Sequence, residues 1–190
     1  IVPFGWTSWT GKDLQQKGIG GSETFIIQLA ETMANSKQYD LRIFCECSTI
    51  VSHHNVTYAP LATFAEFARE HYIQYCIINR SVAYSSLAML APNVENVYLI
   101  LHDFVTHFDH FHDGFKLKTI FCVSKELQQH VAPHIPCPTK LRILEPAIPS
   151  SLLKIQEKVP MRFHYSSTPD RGLYVLLKMW PEIYLSLIHI

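Results

Sequence analysis

Apolar residues in this 190-residue chain gather into short, near-continuous runs, separated by stretches in which they recur every three or four positions. Residues 41–46, 75–79, 97–101, 119–123 and 141–144 are runs of the first kind, with 55–59 a weaker one, and each reads as a strand. Between them, 63–72 carries Phe64, Phe67, Ala68 and His71 at helical spacing, and 82–90 is a small-residue helix ended by Ala91-Pro92. A further helix runs from a Ser124 cap through Val131, with Glu126 in the first turn, where the helix dipole favours a carboxylate. Strands without polar alternation are what a parallel sheet covered on both faces demands. Strand and helix alternating at this spacing predict βαβ units and a doubly wound α/β fold.

Ahead of that series, Gly18-Ile-Gly-Gly-Ser-Glu23 leads at once into an amphipathic run over 24–35, with Phe25, Ile26, Leu29, Ala30 and Met33 at helical spacing. Gly20 and Gly21 can take positive φ and let backbone N–H groups approach a ligand, and Ser22 is the expected N-cap. Glu23 suits a helix start and is expected only to stabilise it. A helix N-terminus exposed behind glycines favours an anion, with phosphate or diphosphate the natural guest. The competing reading is a glycine turn before an ordinary surface helix.

Composition narrows the function classes. Lys+Arg and Asp+Glu both total 16, so no excess positive field draws the chain to nucleic acid or an acidic membrane surface. No apolar stretch approaches the ~20 residues a membrane-spanning helix needs, and no charged-then-apolar leader precedes the first strand. The five cysteines are odd in number, and Cys45, Cys47, Cys76 and Cys122 sit in apolar runs, which predicts reduced, buried thiols in a cytoplasmic protein. Cys45 and Cys47, two apart, should share one strand face and pack in the core, since no second cysteine pair completes a metal site. His102, Asp103, His107, Asp109, His110, His112 and Asp113 could supply Zn²⁺ ligands. Their order follows no standard metal spacing, however, and Phe104, Phe108, Phe111 and Phe115 interleave them. The expectation is therefore no metal, and an aromatic-rich loop leaning on the core with its polar groups in a cleft. His102-Asp103 stands out at the end of a strand, where α/β sheets place ligands, and a histidine there can donate or accept a proton. Arg80, just past 75–79, either borders that cleft or sits in solvent.

Pro146, Pro149 and Pro160 bracket a mixed stretch that reads as a linker. The expected organisation is a first domain over 1–149, a linker over 150–160 and the start of a second domain over 161–183. In that second domain 161–165 is a short strand, 166–170 a polar loop, and 172–180 a helix with Leu173, Leu176, Leu177 and Trp180 inward. Residues 184–190 read as a foreign tail, similar to translated sequencing-adapter read-through, and both chain ends read as cut.

Taken in order, Gly18–Glu23 with its helix, Leu101-His-Asp103, Phe121-Cys-Val-Ser-Lys125 and Tyr165-Ser-Ser-Thr-Pro-Asp-Arg-Gly-Leu173 resemble the GT-B glycosyltransferases of the family 4 (group 1) type. The resemblance implies two Rossmann-like domains facing across a cleft, the first holding the acceptor and the second a nucleotide-sugar. It places Gly20 and Gly21 in the glycine loop that faces the donor diphosphate, His102 beside the reacting sugar with Asp103 next to it, and Arg171 as the cation clamping the diphosphate. A guanidinium and preorganised N–H donors there would stabilise the charge left as the sugar–phosphate bond breaks. The family's other arginine would fall near Tyr165, which cannot neutralise charge, and its acidic sugar-binding pair would fall beyond residue 190. The implied activity is retaining sugar transfer from a nucleotide-diphosphate sugar, the donor substrate, to a glycan, lipid or protein acceptor. It needs no separate cofactor, and these 190 residues are expected to be a fragment without turnover. The alternative is a non-catalytic nucleotide- or phosphate-binding α/β module. An NAD-type fingerprint fails, because Glu23 stands where its third glycine would be.

Overall fold

In the computed structural model of the chain, the alternation of apolar runs becomes an α/β fold built on a five-stranded parallel sheet. The structure describes residues 1–3, 8–109, 111–147, 157, 159, 162–165, 167 and 171–187. The chain divides into two compact units, Ile1–Ala147 and Ile148–Ile190.

In the first unit, β1 (Val2–Pro3), β5 (Ile73–Asn79), β6 (Val94–Leu101), β7 (Leu117–Cys122) and β8 (Leu141–Ile143) lie side by side in that order, all parallel. A second sheet orders β2 (Leu41–Cys45), β4 (Val56–Pro60) and β3 (Val51–His53). Backbone bonds from Ile1 N to Arg42 O (2.7 Å) and from Phe44 N to Ile1 O (2.9 Å) tie β2 to the first residues of the chain. The helices are α1 (Gly21–Asn35), α2 (Phe64–Glu70), α3 (Val82–Leu90) and α4 (Lys125–Val131), the last capped by the Ser124 hydroxyl, which accepts from Leu127 N at 3.2 Å.

Successive strand residues enter different cores, which is why the runs carry no polar alternation. Leu99 and Leu101 of β6 pack with Phe64, Ala88 and Leu127 from α2, α3 and α4, whereas Ile100 joins Ile26, Ile27 and Ala30 of α1. Each such fully buried aliphatic side chain contributes about 1.5–3 kcal/mol.

Several details differ from the sequence reading. Helix α1 begins at Gly21, so Gly20 is its N-cap and Ser22 lies inside the first turn. Gly20 has φ −64°, and among the described glycines positive φ occurs at Gly172 alone, so Gly20 and Gly21 are not there for left-handed backbone. Strand β3 had no apolar run to betray it. It is an antiparallel partner of β4 across a two-residue turn, His54-Asn55, whose φ values of 46° and 61° match the tight turn that hairpin twist favours. Strand β2 stops at Cys45, and Cys47 N bonds back to Cys45 O at 2.8 Å, so the two thiols do not share a strand face. All five cysteines are free thiols, and burial pushes those of Cys76 and Cys122 up to about 11.

In the second unit, α5 (Leu173–Leu187) follows Gly172, whose φ of +100° only glycine adopts readily. This helix runs through Pro181 and includes 184–187 of the stretch that reads as a tail. Leu177 is exposed rather than inward, while Leu173, Leu176 and Trp180 are half-buried, with Trp180 edge-on to Phe163 at 4.7 Å. Residues 162–165 are not a strand, since a strand needs a neighbour to pair with and the unit's described residues offer none; residue 161 lies outside the described residues.

Candidate functional site

Parallel sheets bring the carboxyl ends of neighbouring strands to one edge. At that edge Asn79 closes β5, and Leu101 closes β6 one strand away, so Arg80 and His102 follow at nearly the same level. The start of α1 meets them there, with Phe25 edge-on to the His102 ring at 5.5 Å.

Arg80 binds this cluster together. Its φ of +71° places a non-glycine residue in the left-handed region, at about 1–2 kcal/mol, and its N–H is fixed by Ile100 O at 2.8 Å. From that turn the guanidinium donates to Asp103 Oδ2 through Nη2 (2.7 Å) and Nε (2.9 Å). Nη1 donates to Ser22 Oγ at 3.2 Å and lies 3.6 Å from Glu23 Oε1. Ser22 Oγ in turn donates to Glu23 Oε2 at 2.9 Å. Glu23 is a buried carboxylate, 6% exposed, and is tied into this cluster beyond the helix-start role expected of it. Its carboxyl group folds over the helix entrance, so a Cβ on Gly20 would overlap Oε2 and sit 3.0 Å from Cδ. Gly20 is therefore small because Glu23 needs the space, whereas a Cβ on Gly21 would meet nothing within 4 Å.

His102 Nε2 lies 2.7 Å from Asn79 Oδ1. With the amide in this orientation Nε2 carries the proton, and Nδ1 keeps a lone pair able to accept one. Burial lowers the His102 pKa, the Arg80 charge lowers it further, and Asp103 and Glu23 partly oppose the shift. The imidazole is thus held neutral near pH 7. Asn79 is fully buried, and its Nδ2 has no hydrogen-bond partner among the described residues.

Among the residues expected from sequence, the structure joins the Gly20–Gly21 helix start, His102 and Asp103 in one cluster. Arg171 belongs to the second unit, exposed just ahead of Gly172, and residues 166 and 168–170 of its motif lie outside the described residues. Arg80, Asn79, Glu23 and Phe25 are the members that sequence reasoning left open or assigned to packing. For Asn79 and Arg80 the available signal was position, at the end of the strand beside the one ending in His102. The 102–113 loop leans on the core only in part. Phe111 is buried and Phe108 stacks on His134 at 4.6 Å, but Phe104 and Phe115 are exposed, 63% and 82%. Among its described side chains no three potential ligands converge, and His110 lies outside the described residues.

A cavity of about 330 Å³ opens at the opposite, amino-terminal edge of the strands, beside Phe44, Phe67, Ile73 and Tyr75, away from this cluster. No helix of the described residues is long and apolar enough to cross a membrane. No known protein family, curated protein or solved structure matches the chain.

Proposed function

We propose that this chain is part of a retaining GT-B glycosyltransferase, with the first unit on the acceptor side and Arg171 at the threshold of a nucleotide-sugar-binding domain. The observation that carries the proposal is the meeting of the glycine-opened α1 with His102, Asp103 and Arg80 at the carboxyl edge of a parallel sheet. There the first-turn N–H groups of α1 attract a diphosphate, and a neutral His102 has a lone pair for a proton or for a sugar hydroxyl. Arg80 holds two carboxylates in the resting arrangement, so a bound diphosphate would compete with Glu23 for both the helix start and the guanidinium. A polar network poised between two partners in this way suits a site that responds to its ligand. Arg171, which the resemblance makes the clamp on the leaving diphosphate, sits at a helix start, where the dipole mildly opposes a cation and a nearby anion would offset the cost.

The test is sugar transfer by the gene's full product, screened over nucleotide-sugars, with the anomeric configuration of the product read by NMR. The proposal expects retention of configuration and a loss of at least about 10²-fold in kcat/KM for His102→Ala. Inversion, or undiminished transfer by that variant, contradicts it. Nucleotide binding with no transfer to any acceptor supports the alternative of a binding module without turnover.

A further inference from the structure

On the far side of α1 from its glycine start, the helix and the β3–β4 hairpin bring Glu31, His53 and His54 together, one potential ligand atom from each lying within 4.8 Å of the others. We propose that this corner binds a divalent zinc-class cation, held by two imidazoles and one carboxylate, which fastens the hairpin to α1.

The backbone sets up the arrangement. His53 ends β3 opposite Val56, and His54 occupies the first position of the left-handed turn, with φ 46°. That turn brings His54 Nδ1 to 3.1 Å from Glu31 Oε1 and stacks the two imidazoles with centroids 3.9 Å apart. The Glu31–His54 contact engages two of the three groups, and the turn sets the His53 ring beside them. A shared cation accounts for all three. A second observation points the same way: the Tyr58 hydroxyl is buried and has no hydrogen-bond partner among the described residues. It borders the cluster, since a Cβ on Gly11 would overlap that hydroxyl and lie 2.9 Å from His53 Cδ2. A water in the open coordination position of the metal would give that hydroxyl a partner.

The donor set selects the ion. Two imidazole nitrogens and a carboxylate oxygen, completed by water, suit tetrahedral Zn²⁺, with Ni²⁺ and Cu²⁺ as competitors. Ca²⁺ and Mg²⁺ prefer all-oxygen shells and should not bind. A helix and a hairpin about 20 residues apart in sequence then share one ion, so the expected consequence is stability.

The experiment titrates the 190-residue chain with ZnCl₂ under reducing conditions, reading heat and melting temperature, and determines the ligands by X-ray absorption. The proposal expects a site with nitrogen and oxygen neighbours and no sulfur. At about 100-fold excess over Kd it expects a melting temperature raised by about 5–10 °C. Glu31→Gln and, separately, His54→Asn should each weaken binding by at least about 10-fold and so cut the thermal shift to about half or less. Asparagine tolerates the left-handed turn, so His54→Asn keeps the metal-free fold, and Glu31→Gln provides a variant outside the turn. Zinc bound through the cysteine sulfurs, zinc binding unchanged in both variants, or no binding at all would overturn the proposal.

Discussion

Glu23 and Gly20 constrain each other. The carboxylate lies where a Gly20 side chain would go, and it stays there because Arg80 and Ser22 hold it. Gly20→Ala should therefore cost about 1–2 kcal/mol in urea unfolding, mainly by driving Glu23 away from Arg80, and much less in a Glu23→Ala background. Equal costs in the two backgrounds would show that the Glu23 carboxylate is not what makes glycine necessary. His102 makes a pH prediction. Its folded pKa is lowered, so the unfolded chain takes up the proton first and stability is lost as pH falls below the ordinary imidazole value of about 6.5. His102→Gln should flatten that acid-side loss while leaving stability at pH 8 nearly unchanged; an unaltered pH slope contradicts a buried neutral imidazole. At Arg171 the prediction is kinetic and belongs to the gene's full product. Arg171→Ala should lower kcat/KM by about 10²–10³, and Arg171→Lys should recover only part, because lysine keeps the charge but loses the bidentate fork. An ordinary surface cation would leave activity intact on removal.

The elements that sequence made legible are those whose signal is local. The helix over 82–90 matches α3 end to end, and Ser124 caps α4 as its hydroxyl chemistry demands. The parallel strands other than the two-residue β1 were visible because residues such as Leu99, Ile100 and Leu101 are buried from both sides. What stayed hidden depended on partners far along the chain. Nothing local marks Val51–His53 as a strand, because only its pairing with β4 makes it one. The first turn of α1 was misassigned because Ser22 looks like a cap, whereas its hydroxyl serves Arg80, 58 residues away. Arg80 and Asn79 could not be chosen for the same reason. Their role comes from lying one strand away from His102, a relation fixed by sheet order, which spacing alone does not reveal. The glycine loop and His102-Asp103 carried enough chemistry to be picked out singly, but the network joining them required the fold.

The first unit has two sheets and two cores of its own, so limited proteolysis should leave a resistant piece ending near Ala147. Rapid cleavage inside β5–β7 instead would contradict an independently folded unit. In the proposed site the start of α1 and His102 form one anion-binding edge whose resting state is filled by the protein's own Glu23. Amide NMR during titration of the 190-residue chain with inorganic pyrophosphate tests it most directly. Shifts should focus on the amides of Gly20, Gly21 and Ser22 and on the His102 ring. Glu23→Gln should bind about 5–10-fold more tightly, the equivalent of removing roughly 1 kcal/mol of competition at a helix start. Shifts scattered elsewhere, or a Glu23→Gln chain that binds no better than the wild type, would contradict it.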